Sequence, residues 1–298
     1  MALKASVPSP PPAGYGEGIH RILGFLCRTF GQARVWRASL LALWLPLFVI
    51  SATVCFGQRN ADSRPAPLDP QSAVQDAKAL VAEMLALVPE RSTTNVGSVQ
   101  IRDAEDKERE FSVRFEVTVT PTNWTSSYEV LPSAGAPAPS RLDIIRAPGQ
   151  PNRYELSESA AAGATNAAHV RRVLSRAEIM APFAGSDFWI SDLGLEFLHW
   201  PDQRLRQKNV IRHSKACHVL VSSNPKPEPG GYSRVESWVI IDGPPGIVHA
   251  DAYNANGERL KSFDPKSFNR AKGELEEMEM RNSKTGSRTV IRFNSGRE

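Results

Sequence analysis

Apolar residues between positions 74 and 88 recur at intervals of three and four, which is the period of one face of an α-helix. Asp69 followed by Pro70 is typical of a helix N-terminus, and Pro89 cannot continue a helix. The pattern therefore predicts an amphipathic helix over residues 69–88, which needs an apolar surface to pack against. Its apolar face consists of Val74, Ala77, Leu80, Val81, Met84, Leu85 and Val88.

The period of the pattern changes to two after residue 98. Between residues 111 and 119 the odd-numbered positions are apolar and the even-numbered ones are polar, as in a strand with one face in water. Short apolar stretches separated by turn residues continue to the end of the chain, and Asn256 before Gly257 is typical of a tight hairpin. Further strands are predicted around residues 99–101, 124–130, 142–145, 154–156, 217–221, 235–241, 247–250, 260–263, 275–280 and 290–293.

Two segments lack this alternation. Residues 157–180 are rich in Ala, Ser and Arg and predict a helix or a loop, whereas residues 185–201 are dense in aromatic side chains. In the second segment Ser191 suits a helix N-cap and Pro201 ends the element, so a short helix through Leu198 is expected.

These elements predict a mainly β (α+β) fold. It would contain one long helix, a short helical insert and about ten antiparallel strands, and the absence of βαβ alternation makes a parallel sheet a poor fit. An antiparallel sheet of this width must curl, split or close. A strongly curved sheet wrapped around the amphipathic helix would bury the apolar faces of both.

Residues 38–58 contain no charged side chain and are long enough to span the hydrocarbon layer of a membrane as a helix. Arg34 and Arg37 precede them, which orients the N-terminal side toward the cytoplasm. The segment is either a cleavable signal peptide, with Cys55 and Gly57 before a cut at Gln58, or an uncleaved transmembrane anchor. Either alternative exports the rest of the chain to the periplasm or cell envelope. The expected order is a disordered basic leader (1–37), this segment (38–58), a linker (59–69) and one folded domain (70–298).

The basic charge of the chain belongs to its leader. Of the 36 basic and 32 acidic residues, five and one precede Gln58, which leaves 31 of each sign in the rest of the chain. A formally neutral body argues against a nucleic-acid partner, because such proteins need a basic face to displace the counterions of phosphate.

The sequence offers little for catalysis or metal binding. His213, Cys217 and His218 could supply soft ligands to zinc, but on a strand only the first two share a face, and two ligands are too few. No nucleophile elbow, zinc-protease motif, phosphate-binding glycine loop or Cys-x-x-Cys pair occurs. Asp187 and Asp192 fit caps and turns better than an acid–base pair. We therefore expect no catalytic residue, no metal and no cofactor.

Four stretches carry a family resemblance: GSDFWISDLGLEFLHWP from Gly185, then VESWVIID, AYNANGERLKSFDP and MEMRNSKTGSRTVIRF. Together they resemble the outer-membrane lipoprotein-sorting, or LolA-like, proteins over most of the chain from about residue 70. The resemblance implies an incomplete antiparallel β-barrel whose open side is covered by the N-terminal helix and the helical insert. It also implies an apolar cavity for the acyl chains of lipoproteins or other lipids. The implied partners are a donor protein in the inner membrane and an acceptor protein in the outer membrane.

The first functional hypothesis is therefore a non-enzymatic carrier of lipids or lipoproteins in the cell envelope. The alternative is a membrane-anchored sensor or protein-interaction domain on the same fold, and each apolar side chain could simply fill the core. The candidates for lining a lipid cavity are Leu80, Met84, Phe111, Phe115, Trp124, Trp189, Phe197, Trp200 and Trp238.

Overall fold

The computed structural model describes residues 68–133, 135–158, 170–268 and 275–293. The predicted leader, the segment 38–58 and nearly all of the linker lie outside the described residues. Within the described ranges no helix is long and apolar enough to cross a membrane.

Thirteen strands within these ranges form one antiparallel sheet, which curls into an incomplete barrel. The predicted fold class is confirmed. The strands are β1 (Thr93–Arg102), β2 (Glu108–Val119), β3 (Trp124–Val130), β4 (Ser140–Arg146), β5 (Arg153–Glu158), β6 (Val170–Val173), β7 (Asp202–Arg212), β8 (Lys215–Ser223), β9 (Arg234–Ile240), β10 (Ile247–Tyr253), β11 (Arg259–Phe268), β12 (Leu275–Asn282) and β13 (Arg288–Phe293).

The sheet consists of two meanders joined at one seam. Strands β1 to β6 pair in sequence and so do β7 to β13, and the pairing of β1 with β13 joins the two series. The edges of the sheet are therefore β6 and β7, which follow each other along the chain. The connection between them, residues 174–201, has to pass from one edge to the other, and it crosses the concave face.

The sequence pattern predicts neither β6 nor β7. Strand β6 lies in the segment expected to be a helix or a loop, and its four residues include two arginines. Strand β7 is mostly exposed, and its pairing with β8 shifts register twice, near Asn209, whose φ is positive (54°). An edge strand that is wet and bulged has no regular alternation for the sequence to display.

Helix α1 (Pro70–Ala86) begins where the sequence predicts and ends two residues early. The Asp69 side chain accepts a hydrogen bond from the backbone N–H of Ser72 at 2.8 Å. The helix packs against β7, and its buried face is narrower than predicted. Val74, Leu85 and Val88 from the predicted face are exposed, whereas Ala73, outside that face, is buried. The buried residues are Ala73, Ala77, Val81 and Met84.

The connection across the concave face, which we call the cover (residues 174–201), is a chain of short helical turns. It contains 3₁₀ turns at Glu178–Met180, Phe183–Gly185 and Glu196–His199, and helix α2 (Ile190–Gly194). The expected N-cap at Ser191 is wrong. Ser191 lies inside α2, and the Asp192 carboxylate instead accepts from the backbone N–H of Trp189 at 2.8 Å. The expected continuous helix through Leu198 breaks at Leu195, whose φ is 52°.

Candidate functional site

An apolar cavity of about 110 Å³ lies between the cover and the concave face of the sheet. Strands from both meanders contribute to it, because alternate residues of each strand point to the same side. Its walls are formed by Leu85, Leu87, Trp124, Ser126, Tyr128, Arg146, Phe188, residues 192–195, residues 197–199, Tyr232, Val235, Ile247, Ala250, Ala252, Lys261, Phe263, Met278 and Met280.

A larger groove of about 990 Å³ adjoins this cavity. Its floor includes the turn at residues 147–152 and the start of the cover, and Ala82, Ala86 and Val88 from α1 and the residues after it form one wall. Two of the three exposed positions of the predicted helical face, Leu85 and Val88, therefore line this groove, and Val74 does not. Five residues line both spaces, and we call them the junction: Leu85, Trp124, Arg146, Leu198 and His199.

Strands β3 and β4 supply the side chains that fix the junction. Trp124, Ser126 and Tyr128 alternate along β3, and Ile144 and Arg146 do so along β4. Trp124 lies directly opposite Arg146 in the pairing, and the guanidinium carbon of Arg146 is 4.3 Å from the centre of the indole ring. This cation–π contact orients the guanidinium toward the space between cavity and groove.

Arg146 donates two hydrogen bonds at the junction. One goes to the Ser126 hydroxyl at 3.1 Å and the other to the backbone carbonyl of Leu193 in the cover at 3.2 Å. Burial lowers its pKa from the ordinary arginine value. Burial, together with the nearby Arg146 charge, also lowers the pKa of His199, so this imidazole is neutral at pH 7.

The cover is held against β5 beside the junction. Tyr154 donates to Glu196 at 2.8 Å, and Asn152 donates to the backbone carbonyl of Gly194 at 2.9 Å. A Cβ at Gly194 would lie 2.0 Å from the Tyr154 oxygen, so the close approach of α2 to β5 requires a glycine. Burial raises the pKa of Glu196 and raises that of Tyr154 well above its usual value.

A second basic group, Lys261, lies in the cavity wall and is 2 % exposed. Its ammonium is 3.4 Å from an Asp192 carboxylate oxygen and 3.8 Å from the centre of the Trp189 ring. Tyr232 donates to the same Asp192 oxygen at 3.2 Å. Burial lowers the pKa of Lys261 to about 8 and raises the pKa of Asp192.

The residues proposed from the sequence to line a lipid cavity fall into three groups. Trp124 and Phe197 line the cavity, and Trp200 lines the groove. Met84, Phe111 and Phe115 lie in the main hydrophobic core, and Trp189 is half-buried against it. Phe115 contacts the Phe293 ring at a centroid distance of 4.8 Å, and Trp189 stacks on Tyr232 at 4.3 Å.

The two remaining candidates lie away from the cavity. Leu80 borders a separate depression with Asp76 and Lys208. Trp238 is on the other face of β9 from Val235 and contacts His249, with 4.8 Å between ring centroids. Phe111, Phe115, Trp189 and Met84 also do not border the cavity or the groove.

Several lining residues were missed, and some left a signal in the sequence. Arg146 continues the inward alternation of Leu142 and Ile144, so a charged side chain was visible at an inward position. Lys261 likewise alternates with Phe263 on β11. The small inward residues Ala250 and Ala252 leave room for the cavity, which no periodicity could indicate.

The residues considered as zinc ligands, His213, Cys217 and His218, do not form a metal site. Cys217 is completely buried with Ile240 and Val248, and the His213 ring faces Asp264 at 3.7 Å. Over the described ranges there is no group of three or more His, Cys, Asp or Glu side chains that could hold a metal ion.

Comparisons with known proteins agree with this architecture. A crystal structure of a DUF1329 family protein from Desulfovibrio piger matches with a TM-score of 0.59 at 18% identity, over 74% of this chain and 91% of the other. A structure described as an outer membrane lipoprotein-sorting protein domain from Vibrio parahaemolyticus matches with a TM-score of 0.56 at 14% identity, over 76% and 90% of the two chains. A LolA superfamily protein from Nitrosomonas europaea gives a TM-score of 0.47 at 15% identity, over 76% and 92%.

At these identities the first two matches show a shared fold. The incomplete antiparallel barrel expected from the sequence is thereby confirmed. A family model described as an uncharacterized protein matches residues 165–297, which include the cover and β7 to β13. No curated protein sequence matches the chain significantly.

Proposed function

We propose that this protein binds the apolar chain of a lipid or lipoprotein and carries it in the cell envelope without chemical change. The observation that supports this most directly is the continuity of an apolar cavity with a large groove through five shared residues. The groove is at the upper end of the roughly 300–1,000 Å³ typical of ligand pockets. An acyl chain could enter from the groove and place its end in the cavity.

The energetics favour an alkyl ligand. Each buried methylene contributes about 0.8 kcal/mol, so a chain of several carbons offsets the cost of immobilising it. Most of the area of the cavity wall is apolar, which suits an alkyl chain better than a sugar or a nucleotide.

The proposed location is the periplasm or cell envelope, either after signal cleavage or with the segment 38–58 retained as an anchor. The basic leader and uncharged segment of the sequence support export. The Vibrio parahaemolyticus neighbour is described as a lipoprotein-sorting domain, which supports an inner-membrane donor and an outer-membrane acceptor as partners.

The test is to fill the cavity without unfolding the domain. Ala250 is 8 % exposed and borders the cavity, so Ala250→Phe should place a ring in the space that an acyl chain would occupy. Ala104, in the exposed turn after β1, provides the matched control Ala104→Phe. Both variants and the natural full-length chain would be titrated with a fluorescent fatty acid, and co-purifying lipid would be identified by native mass spectrometry.

We expect Ala250→Phe to lose at least about tenfold in affinity, since several methylenes lose their contacts. Ala104→Phe should bind as the natural chain does. A folded natural chain that takes up no fatty acid and carries no lipid would overturn the proposal. That result would favour the sensor or interaction domain.

A further inference from the structure

Resting on the proposed function, we infer that the lipid has an anionic headgroup, a carboxylate or a phosphate, and that the guanidinium of Arg146 binds it at the junction. Three features of Arg146 support this role: its partners, its surroundings and its position between the cavity and the groove.

Arg146 has unused donors and no ion-pair partner among the described residues. Its hydrogen bonds to Ser126 and Leu193 use two of the five N–H groups that a guanidinium carries. No described carboxylate oxygen lies within 4.0 Å of its nitrogens. The nearest carboxylate named as acting on it, that of Glu196, does so through space, and its Oε2 accepts hydrogen bonds from Tyr154 and Asn152.

Arg146 is half-buried, and an unpaired guanidinium in a largely apolar surrounding is costly, since charges withdrawn from water are normally paired. Lys261 illustrates the usual solution in the same cavity, because Asp192 supplies its counter-charge at 3.4 Å. The protein bears the cost at Arg146 and fixes the side chain by stacking it on Trp124. A ligand anion would supply the missing partner and make bidentate, charge-assisted hydrogen bonds.

The position of Arg146 fits the boundary between the two parts of such a ligand. It lines both the cavity, whose wall is apolar, and the groove, whose lining includes polar side chains such as Asn152 and Arg176. A headgroup at Arg146 would leave the alkyl chain on the apolar side. His199, which also lines both spaces, could donate a further hydrogen bond from its neutral ring.

The experiment measures binding of matched lipid pairs to the full chain by calorimetric titration. Oleate and oleyl alcohol share one alkyl chain and differ in charge, and oleoyl lysophosphatidate and monoolein form the corresponding phosphate pair. The variants are Arg146→Met, which keeps the length of the side chain without its charge, and Arg146→Lys. The lysine keeps the charge but cannot make the paired hydrogen bonds of a guanidinium. Arg204→Met, at an exposed position of β7, is the control.

We expect the natural chain to prefer at least one anionic lipid over its neutral match by about tenfold or more. Arg146→Met should lose that preference while still binding the neutral lipid, Arg146→Lys should retain part of it, and Arg204→Met should leave it unchanged. A preference confined to oleate identifies a fatty carboxylate, and one confined to lysophosphatidate identifies a phosphate.

Equal binding of both members of each pair by the natural chain would overturn the inference, and that comparison needs no variant. A preference that persists in Arg146→Met would also overturn it. If none of the four lipids binds to the folded chain, the proposed function itself fails, which is a separate result.

Discussion

Arg141 and Arg146 lie five residues apart on β4 and therefore on opposite faces of the sheet. On the convex face Arg141 contacts Asp143 at 2.9 Å and Glu116 at 3.0 Å, and Arg171 pairs with Glu155 beside it. On the concave face Arg146 has neutral partners and an aromatic ring. Arginine thus belongs to a network of charges on one face and has only neutral hydrogen-bond partners on the other.

The difference extends to the whole sheet. Carboxylates on the convex side have basic neighbours, as Glu279 has in Arg281 and Lys266. The concave side is mostly apolar, and its charged groups are few: Lys261 is paired with Asp192, whereas Arg146 has no ion-pair partner among the described residues. The convex face thus places its charged groups in ion pairs at the solvent side, and the apolar concave face suits the ligand proposed above.

The largest expected effect is a loss of stability, and comparing two adjacent residues of β4 tests the contrast between the faces. Ile144 is completely buried on the concave side, whereas Ile145 is half-buried on the convex side. Ile144→Asp should cost about 4 kcal/mol in the free energy of unfolding, because it buries an unpaired carboxylate. Ile145→Asp should cost about 1 kcal/mol. Urea unfolding of the full chain would measure both, and equal losses would contradict the assignment of faces.

A pH effect of intermediate size should come from Lys261. Its pKa of about 8 in the folded protein lies below its unfolded value, so the unfolded chain binds more protons between the two values. Stability from this group therefore rises with pH above about 8, by about 2 kcal/mol up to pH 9.5. Above that range the raised pKa of Tyr232 acts in the opposite direction.

The contribution of Lys261 is obtained by comparing the free energy of unfolding of two proteins, so that the contributions of the other titrating groups cancel. Urea unfolding of the natural chain and of Lys261→Met would be compared at steps between pH 7.5 and 9.5. The gain in stability with pH should be smaller in Lys261→Met. Parallel profiles for the two proteins would show that Lys261 is charged and well paired when folded.

The smallest effect is expected on the convex face. Arg141→Met removes contacts to the partly exposed Glu116 and to the buried Asp143, which keeps Ser127 and Arg171 as partners. It should therefore cost no more than about 1 kcal/mol and leave fatty-acid binding unchanged. Thermal unfolding and lipid titration would check the two parts. If Arg141→Met lost as much affinity for the fatty acid as Arg146→Met does, the functional difference between the two faces would be contradicted.

The sequence predicted an element correctly where a single physical requirement determines which residues occupy its positions. Strand β2 shows a clean alternation because one of its faces is buried along most of its length, and helix α1 shows a cap at Asp69 because an N-terminus needs one. Edge strand β7 was not predicted, because only Gln203 and Leu205 are buried on it and its pairing with β8 shifts register twice.

The site was only partly predictable for a related reason. Trp124 and Phe197 border the cavity, but Phe111 and Phe115 have the same inward alternation and lie in the core. The amino-acid sequence does not distinguish an apolar side chain that lines a cavity from one that is packed in the core. That difference arises from distant small residues, such as Ala250 and Ala252, and from the cover that crosses above them.

The seam between β1 and β13 has a consequence for how the chain folds. Each meander consists of hairpins between neighbouring strands, but the seam pairs Val99 with Ile291, nearly the whole domain apart in sequence. Contacts of such separation form slowly, because the intervening chain must first be brought into a loop. A polypeptide emerging from its N-terminus therefore cannot close the sheet until its last strand has emerged, and until then the apolar faces of both meanders lack their final partner.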